Sequence, residues 1–141
     1  MRSYCYRIKT AASLDCWQQV VVTFVQFLYL CKKKAMNLKE KYIISLIKSK
    51  IKEKDPDADI ILFGSHARGT ANQDSDWDIL ILLNLSNVSR KIEQDYRHQL
   101  FDVELEIGEP ISTFVYSKSD WETKHSVTPL YFNVSKEGIR I

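Results

Sequence analysis

The chain predicts an α/β fold, a small mixed β-sheet covered by helices, and three observations carry that prediction. Two short apolar runs, Asp59 to Phe63 and Ile79 to Leu83, have the β-branched and aromatic make-up of strands buried in a sheet. Ahead of them, Leu38 to Lys54 places Ile43, Ile44, Ile47 and Ile51 on one helical face, with lysines filling the other positions. Taken in order, the segments give α-β-β-α-β-β-α, the alternation of a sheet layered with helices.

The first helix stops at Asp55-Pro56-Asp57, because a proline disfavours helical backbone at the residue before it. The first strand ends at Gly64, and a glycine-containing connection of high chemical density leads to the second. A helix follows over Ser86 to Leu100, with Val88, Ile92, Tyr96 and Leu100 four apart and Ser86 or Asn87 as cap. Phe101 to Ile107 alternates Asp102, Glu104 and Glu106 with Val103, Leu105 and Ile107, which predicts a strand with one acidic and one apolar face. Ile111 to Tyr116 is a further strand. A last helix opens at Thr128-Pro129 and closes at Gly138. Trp121, Tyr131 and Phe132 are expected in the core, His98 and His125 in solvent.

A chain of 141 residues, 45% hydrophobic and 27% charged, holds one compact core. Its charge is uneven. Residues 1–35 carry six basic side chains against Asp15 alone, a net +5, so the other 14 basic and 17 acidic residues leave 36–141 at −3. A mildly acidic domain argues against an extended nucleic-acid surface, which would show a basic stripe. The three cysteines, Cys5, Cys16 and Cys31, all fall in the first quarter, with no CxxC spacing and no nearby histidine. They indicate neither a disulfide framework nor a zinc site, and the remainder has the look of a reduced, cytoplasmic protein.

The organisation is accordingly a hydrophobic and basic extension, 1–35, and a domain, 36–141. Within the extension, Cys16 to Cys31 is uncharged but shorter than the roughly 20 apolar residues of a membrane-crossing helix. It also lacks a small-residue cleavage site. No membrane span or targeting signal is expected, and Met36, directly ahead of a well-formed helix, raises the reading that translation starts there.

The chemistry is concentrated in Gly64-Ser65-His66-Ala67-Arg68-Gly69-Thr70-Ala71-Asn72-Gln73-Asp74-Ser75-Asp76-Trp77-Asp78-Ile79. Gly64 lets the backbone bend sharply and approach a phosphate. Ser65 adds a hydroxyl beside N–H groups at a helix start, where anions are favoured. Arg68 offers a forked donor to phosphate or to a carboxylate. Asp76 and Asp78, at i and i+2, point to one face and can converge on Mg²⁺, with Trp77 between them directed into packing. In a two-metal site one ion lowers the pKa of the attacking hydroxyl and the other stabilises the departing pyrophosphate. A third carboxylate, as ligand or general base, is expected on a neighbouring strand. Asp102 is the first choice, with Glu104 and Glu106 as alternatives because sequence does not settle the register.

Gly-Ser, ten intervening residues, then Asp-x-Asp resembles the signature of the DNA polymerase β-type nucleotidyltransferases. The string GSHARGTANQDSDWDIL is most similar to the minimal nucleotidyltransferase (MNT) branch, which pairs with HEPN-domain proteins in toxin–antitoxin modules. The resemblance implies a polymerase β-like mixed sheet, transfer of a nucleoside monophosphate from an NTP (AMP from ATP first of all), and two Mg²⁺ ions. In antitoxin members it implies a HEPN toxin as the adenylylated partner. By position, Gly64 and Ser65 would bind the triphosphate, and Asp76 and Asp78 the metal. The chain departs from larger members in having no additional substrate-binding domain, which leaves protein and small-molecule acceptors, and homo- and hetero-oligomers, all open. A module of another class, a catalytically inactive antitoxin-like binder, would neutralise a partner by contact alone. The intact aspartate pair favours the enzyme, since a binder has no need of converging negative charges.

Overall fold

The computed structural model describes residues 36–141, and the expectations for residues 1–35 lie outside the described residues. The elements are α1 (Leu38–Lys54), β1 (Asp59–Phe63), α2 (Gly64–Arg68), β2 (Trp77–Leu83), α3 (Arg90–Ile107), β3 (Ile111–Ser117), α4 (Lys118–Thr123), α5 (Pro129–Glu137) and β4 (Ile139–Arg140). They form a mixed four-stranded sheet in the order β3-β2-β1-β4. β1 is antiparallel to both β2 and β4, and β2 is parallel to β3.

Period-two alternation splits the strands between two apolar layers. Ile60, Leu62, Trp77, Ile79, Ile81 and Leu83 face α1 and α3, where Ile43, Ile47, Ile51, Tyr96, Leu100 and Val103 cover them. Ile61, Phe63, Leu80 and Leu82 face the other way, onto Trp121 of α4 and Val134 of α5. Asp78 alternates with Trp77 and Ile79, so it lies on the α4–α5 side, at the end of that layer.

Helix starts are capped by side chains that satisfy otherwise orphaned N–H groups. Asn37 and Glu40 form a reciprocal capping box, and Ser89, Ser117 and Thr128 cap α3, α4 and α5. Among the described residues no helix is long and apolar enough to cross a membrane.

The expected strand over Phe101 to Ile107 is corrected: α3 runs unbroken from Arg90 to Ile107 and ends at Gly108, whose φ of 69° is a left-handed cap. The apolar spacing explains the outcome. Tyr96, Leu100, Val103 and Ile107 recur at helical intervals and pack inward, while Leu105, which a strand would bury beside Val103, is 67% exposed. Period two and period 3.6 share Val103 and Ile107, and the exposed Phe101 and Leu105 separate them. The cap of α3 is Ser89 rather than Ser86 or Asn87. Trp121 is buried and Tyr131 packs partly against it, as expected, but Phe132 is exposed. His125 is half-buried, its ring tilted against Tyr116 and close to Trp121, rather than fully in solvent.

Candidate active site

β1 ends at Phe63, directly opposite Asp78 of β2. The next residue, Gly64, turns with φ of 71°, a conformation side-chain-bearing residues rarely adopt. A Cβ there would fall 2.0 Å from Asp78 Oδ2, so the backbone approaches the carboxylate in a way only glycine permits. Gly64 and Ser65 open the single turn of α2, and Gly69, at φ of 72°, closes it. The amide of Thr70 returns to Ser65 O at 3.0 Å, which knits the loop into a compact bend.

Asp76 immediately precedes β2 and Asp78 is its second residue. Both carboxylates serve one region. Burial raises the pKa of Asp78 above that of an ordinary aspartate, and the negative charge of Asp76 raises it further, with His66 and Arg68 opposing. An exposed carboxylate, Asp76, beside the half-buried carboxylate of Asp78 is an arrangement of like charges that a bound cation would relieve. With phosphate oxygens completing the shell, Asp76 and Asp78 form a donor set that suits Mg²⁺.

The three carboxylates that the alternation offered as a third ligand stand on the helix α3 and not on a strand beside β2. Asp102 is an exposed residue of α3, Glu104 accepts from the amide of Ile111 at 3.2 Å, and Glu106 accepts from the Tyr42 hydroxyl at 3.0 Å. Among the described residues no group of three His, Cys, Asp or Glu side chains is gathered to hold a metal ion. The strand beside Asp78 is instead β3, and its register partner there is Ser112, whose hydroxyl donates to Asp76 Oδ2 at 3.4 Å.

Arg68 takes the second of its two expected partners. Its Nη1 donates to Glu137 Oε1 at 2.7 Å, and the same oxygen accepts from Gly64 N–H at 3.2 Å. Glu137, at the end of α5, is a site residue that sequence reasoning missed: nothing in a Lys-Glu-Gly helix terminus signals a contact with a bend so far away in the chain. His66 lies flat on Trp77, ring centroids 3.8 Å apart at 14°, with Nε2 3.3 Å from Ser75 O, so it supports the loop. Beyond Ser112, between α3 and the edge strand β3, an open cleft of about 570 Å³ is lined by Arg97, His98 and Phe101 on one wall and Thr113 and Phe114 on the other.

A strand, a Gly-Ser bend and a second strand bearing Asp-x-Asp, in a mixed sheet with helices on both faces, define the polymerase β-type nucleotidyltransferase fold. The chain belongs to the nucleotidyltransferase domain family, whose model matches residues 44–136. A toxin–antitoxin crystal structure with AMP-PNP shares the fold at 20% identity and a TM-score of 0.51, over 68% of this chain and 69% of that one. A toxin–antitoxin MntA-HpeT mutant structure is 23% identical, with a TM-score of 0.48 over 74% and 72% of the two chains. No curated protein matches the chain.

Proposed function

We propose that the chain is a Mg²⁺-dependent nucleotidyltransferase that moves a nucleoside monophosphate, most of all AMP from ATP, to a protein acceptor, with a HEPN-type toxin as the acceptor class and a small molecule as the alternative. The observation that carries the reading is the packing of Asp78 against the glycine bend, with Asp76 beside it: the carboxylates that suit a cation and the backbone that suits a phosphate adjoin one another. That the fold neighbour was crystallised with AMP-PNP supports an adenine nucleotide.

In this reading Asp76 and Asp78 hold the ions, and the Gly64-Ser65 bend, with the Ser65 hydroxyl as donor, receives the phosphates. Bound Mg²⁺ would neutralise charge on the triphosphate and favour the ionised acceptor hydroxyl. Ser112 orients Asp76 through its hydrogen bond. The cleft along β3 leaves an approach for the acceptor on the side of the site next to Ser112.

The test is transfer of label from α-labelled ATP to a co-purified or added HEPN-type partner. Asp78→Asn keeps the shape of the side chain and removes its charge, and the expected loss of transfer is about a hundredfold or more, with the unfolding midpoint unchanged or raised. Undiminished transfer in that variant would remove the metal assignment. The non-catalytic binder is favoured by one observation: among the described residues no third His, Cys, Asp or Glu side chain is gathered with Asp76 and Asp78 to hold a metal ion. It requires that Asp78→Asn neutralise the partner as well as the wild type does.

A further inference from the structure

Glu137 lies 73 positions from Gly64, yet one of its oxygens grips the bend at two points. Oε1 accepts from the Gly64 amide at 3.2 Å and from Arg68 Nη1 at 2.7 Å. Its side chain is 17% exposed, while that of Arg68 is 49% exposed, so the carboxylate is the anchored member of the pair. A charge-assisted bond of this kind holds its donor more firmly than a neutral one. Here it restrains both the direction of a backbone N–H and the conformation of a guanidinium.

The chain after Glu137 explains how the carboxylate is delivered. The amide of Gly138 closes α5 on Val134 O at 2.8 Å. A Cβ on Gly138 would lie 2.5 Å from that carbonyl oxygen and 2.8 Å from Ile61 Cγ2, so the turn passes closer to β1 than any side chain allows. Ile139 and Arg140 then pair with Leu62 and Ile61. The turn thus pins the end of α5 beside β1, near the point where the chain leaves that strand for the bend.

We propose that Glu137 is a positioning residue of this site, holding the Gly64 amide and the Arg68 guanidinium so that the bend has its phosphate-receiving shape before nucleotide arrives. The proposal rests on the nucleotide-transfer reading above. It differs from two others: a tie that only adds stability, and an internal anion that competes with phosphate.

The experiment compares the full-length wild type with E137A and E137Q by hydrogen exchange, by affinity for a non-hydrolysable ATP analogue with Mg²⁺, and by thermal unfolding. In E137A, exchange in residues 64–69 accelerates on the order of tenfold while β2 keeps its protection. Analogue affinity falls by about tenfold, the effect of losing one charge-assisted hydrogen bond. E137Q, with an acceptor oxygen but no charge, falls between the two, and it carries the comparison should E137A fail to fold. Unchanged exchange at the bend overturns the proposal. So does tighter analogue binding, which marks a competitor, or a uniform rise in exchange across the sheet, which marks an ordinary stabilising contact. If the wild type itself binds no nucleotide, the transfer reading fails, and the exchange comparison alone decides whether Glu137 holds the bend.

Discussion

Gly64 is the position where backbone geometry and chemistry coincide. Its positive φ and its contact with Asp78 each exclude a side chain, one through local strain and the other through overlap with the carboxylate. Gly64→Ala is therefore expected to cost about 1 kcal/mol from the backbone alone, and more from displacing Asp78. Nucleotide transfer should fall more steeply than stability, because the displaced group belongs to the proposed metal site. Transfer kinetics alongside denaturant unfolding check this, and a variant with full transfer would mean that the approach at Gly64 is not needed. Two other residues show how sequence and structure divide the site. That the charge of Asp76 is felt at Asp78 was legible from their spacing, because residues two apart at a strand's start share a side. The partnership of Arg68 with Glu137 was not, because it depends on where α5 ends.

At the level of elements, α3 is the instructive case. Its last two turns imitate a strand in composition, and the exposure of Phe101 and Leu105 distinguishes the alternatives. Leu100→Ala, in the core between helix and sheet, is expected to cost about 2–5 kcal/mol, whereas Leu105→Ala should remain within about 0.5 kcal/mol, as surface substitutions do. Urea unfolding of the two variants measures both, and a large cost at Leu105 would support the strand over the helix. This correction has a functional consequence. A strand at 101–107 would have offered three carboxylates to the sheet; a helix leaves Asp102 exposed and engages Glu104 and Glu106 elsewhere. β3 takes the place beside β2, and it carries Ser112 at the level of Asp78.

Across the molecule, Glu109 ties the loop after α3 to two other elements. It pairs with Lys39 at the start of α1 and accepts from Trp77 Nε1 of β2 at 2.7 Å. The Lys39 hydrogen bond, helped by Trp77 and opposed by burial, holds its carboxyl below the ordinary glutamate value. A depressed folded pKa contributes stability that is present above the unfolded value and lost as pH falls through the folded one. The stability advantage of the wild type over Glu109→Gln should therefore be constant near neutrality and vanish at acid pH. Denaturant midpoints against pH test this, and an advantage that grows as pH falls would exclude the linkage. On its own, the sequence determined the α/β class, the strands around the bend and the identity of the Gly-Ser and Asp-x-Asp groups. All of these rest on short-range periodicity and on spacing within one connection. Only the tertiary structure decided that 101–107 is helical, that Ser112 rather than a carboxylate stands beside Asp78, and that Glu137 reaches the bend. The last two depend on which distant segments share the core and on strand register, which no local pattern encodes; over 101–107 two local periodicities compete, and packing chose the helical one.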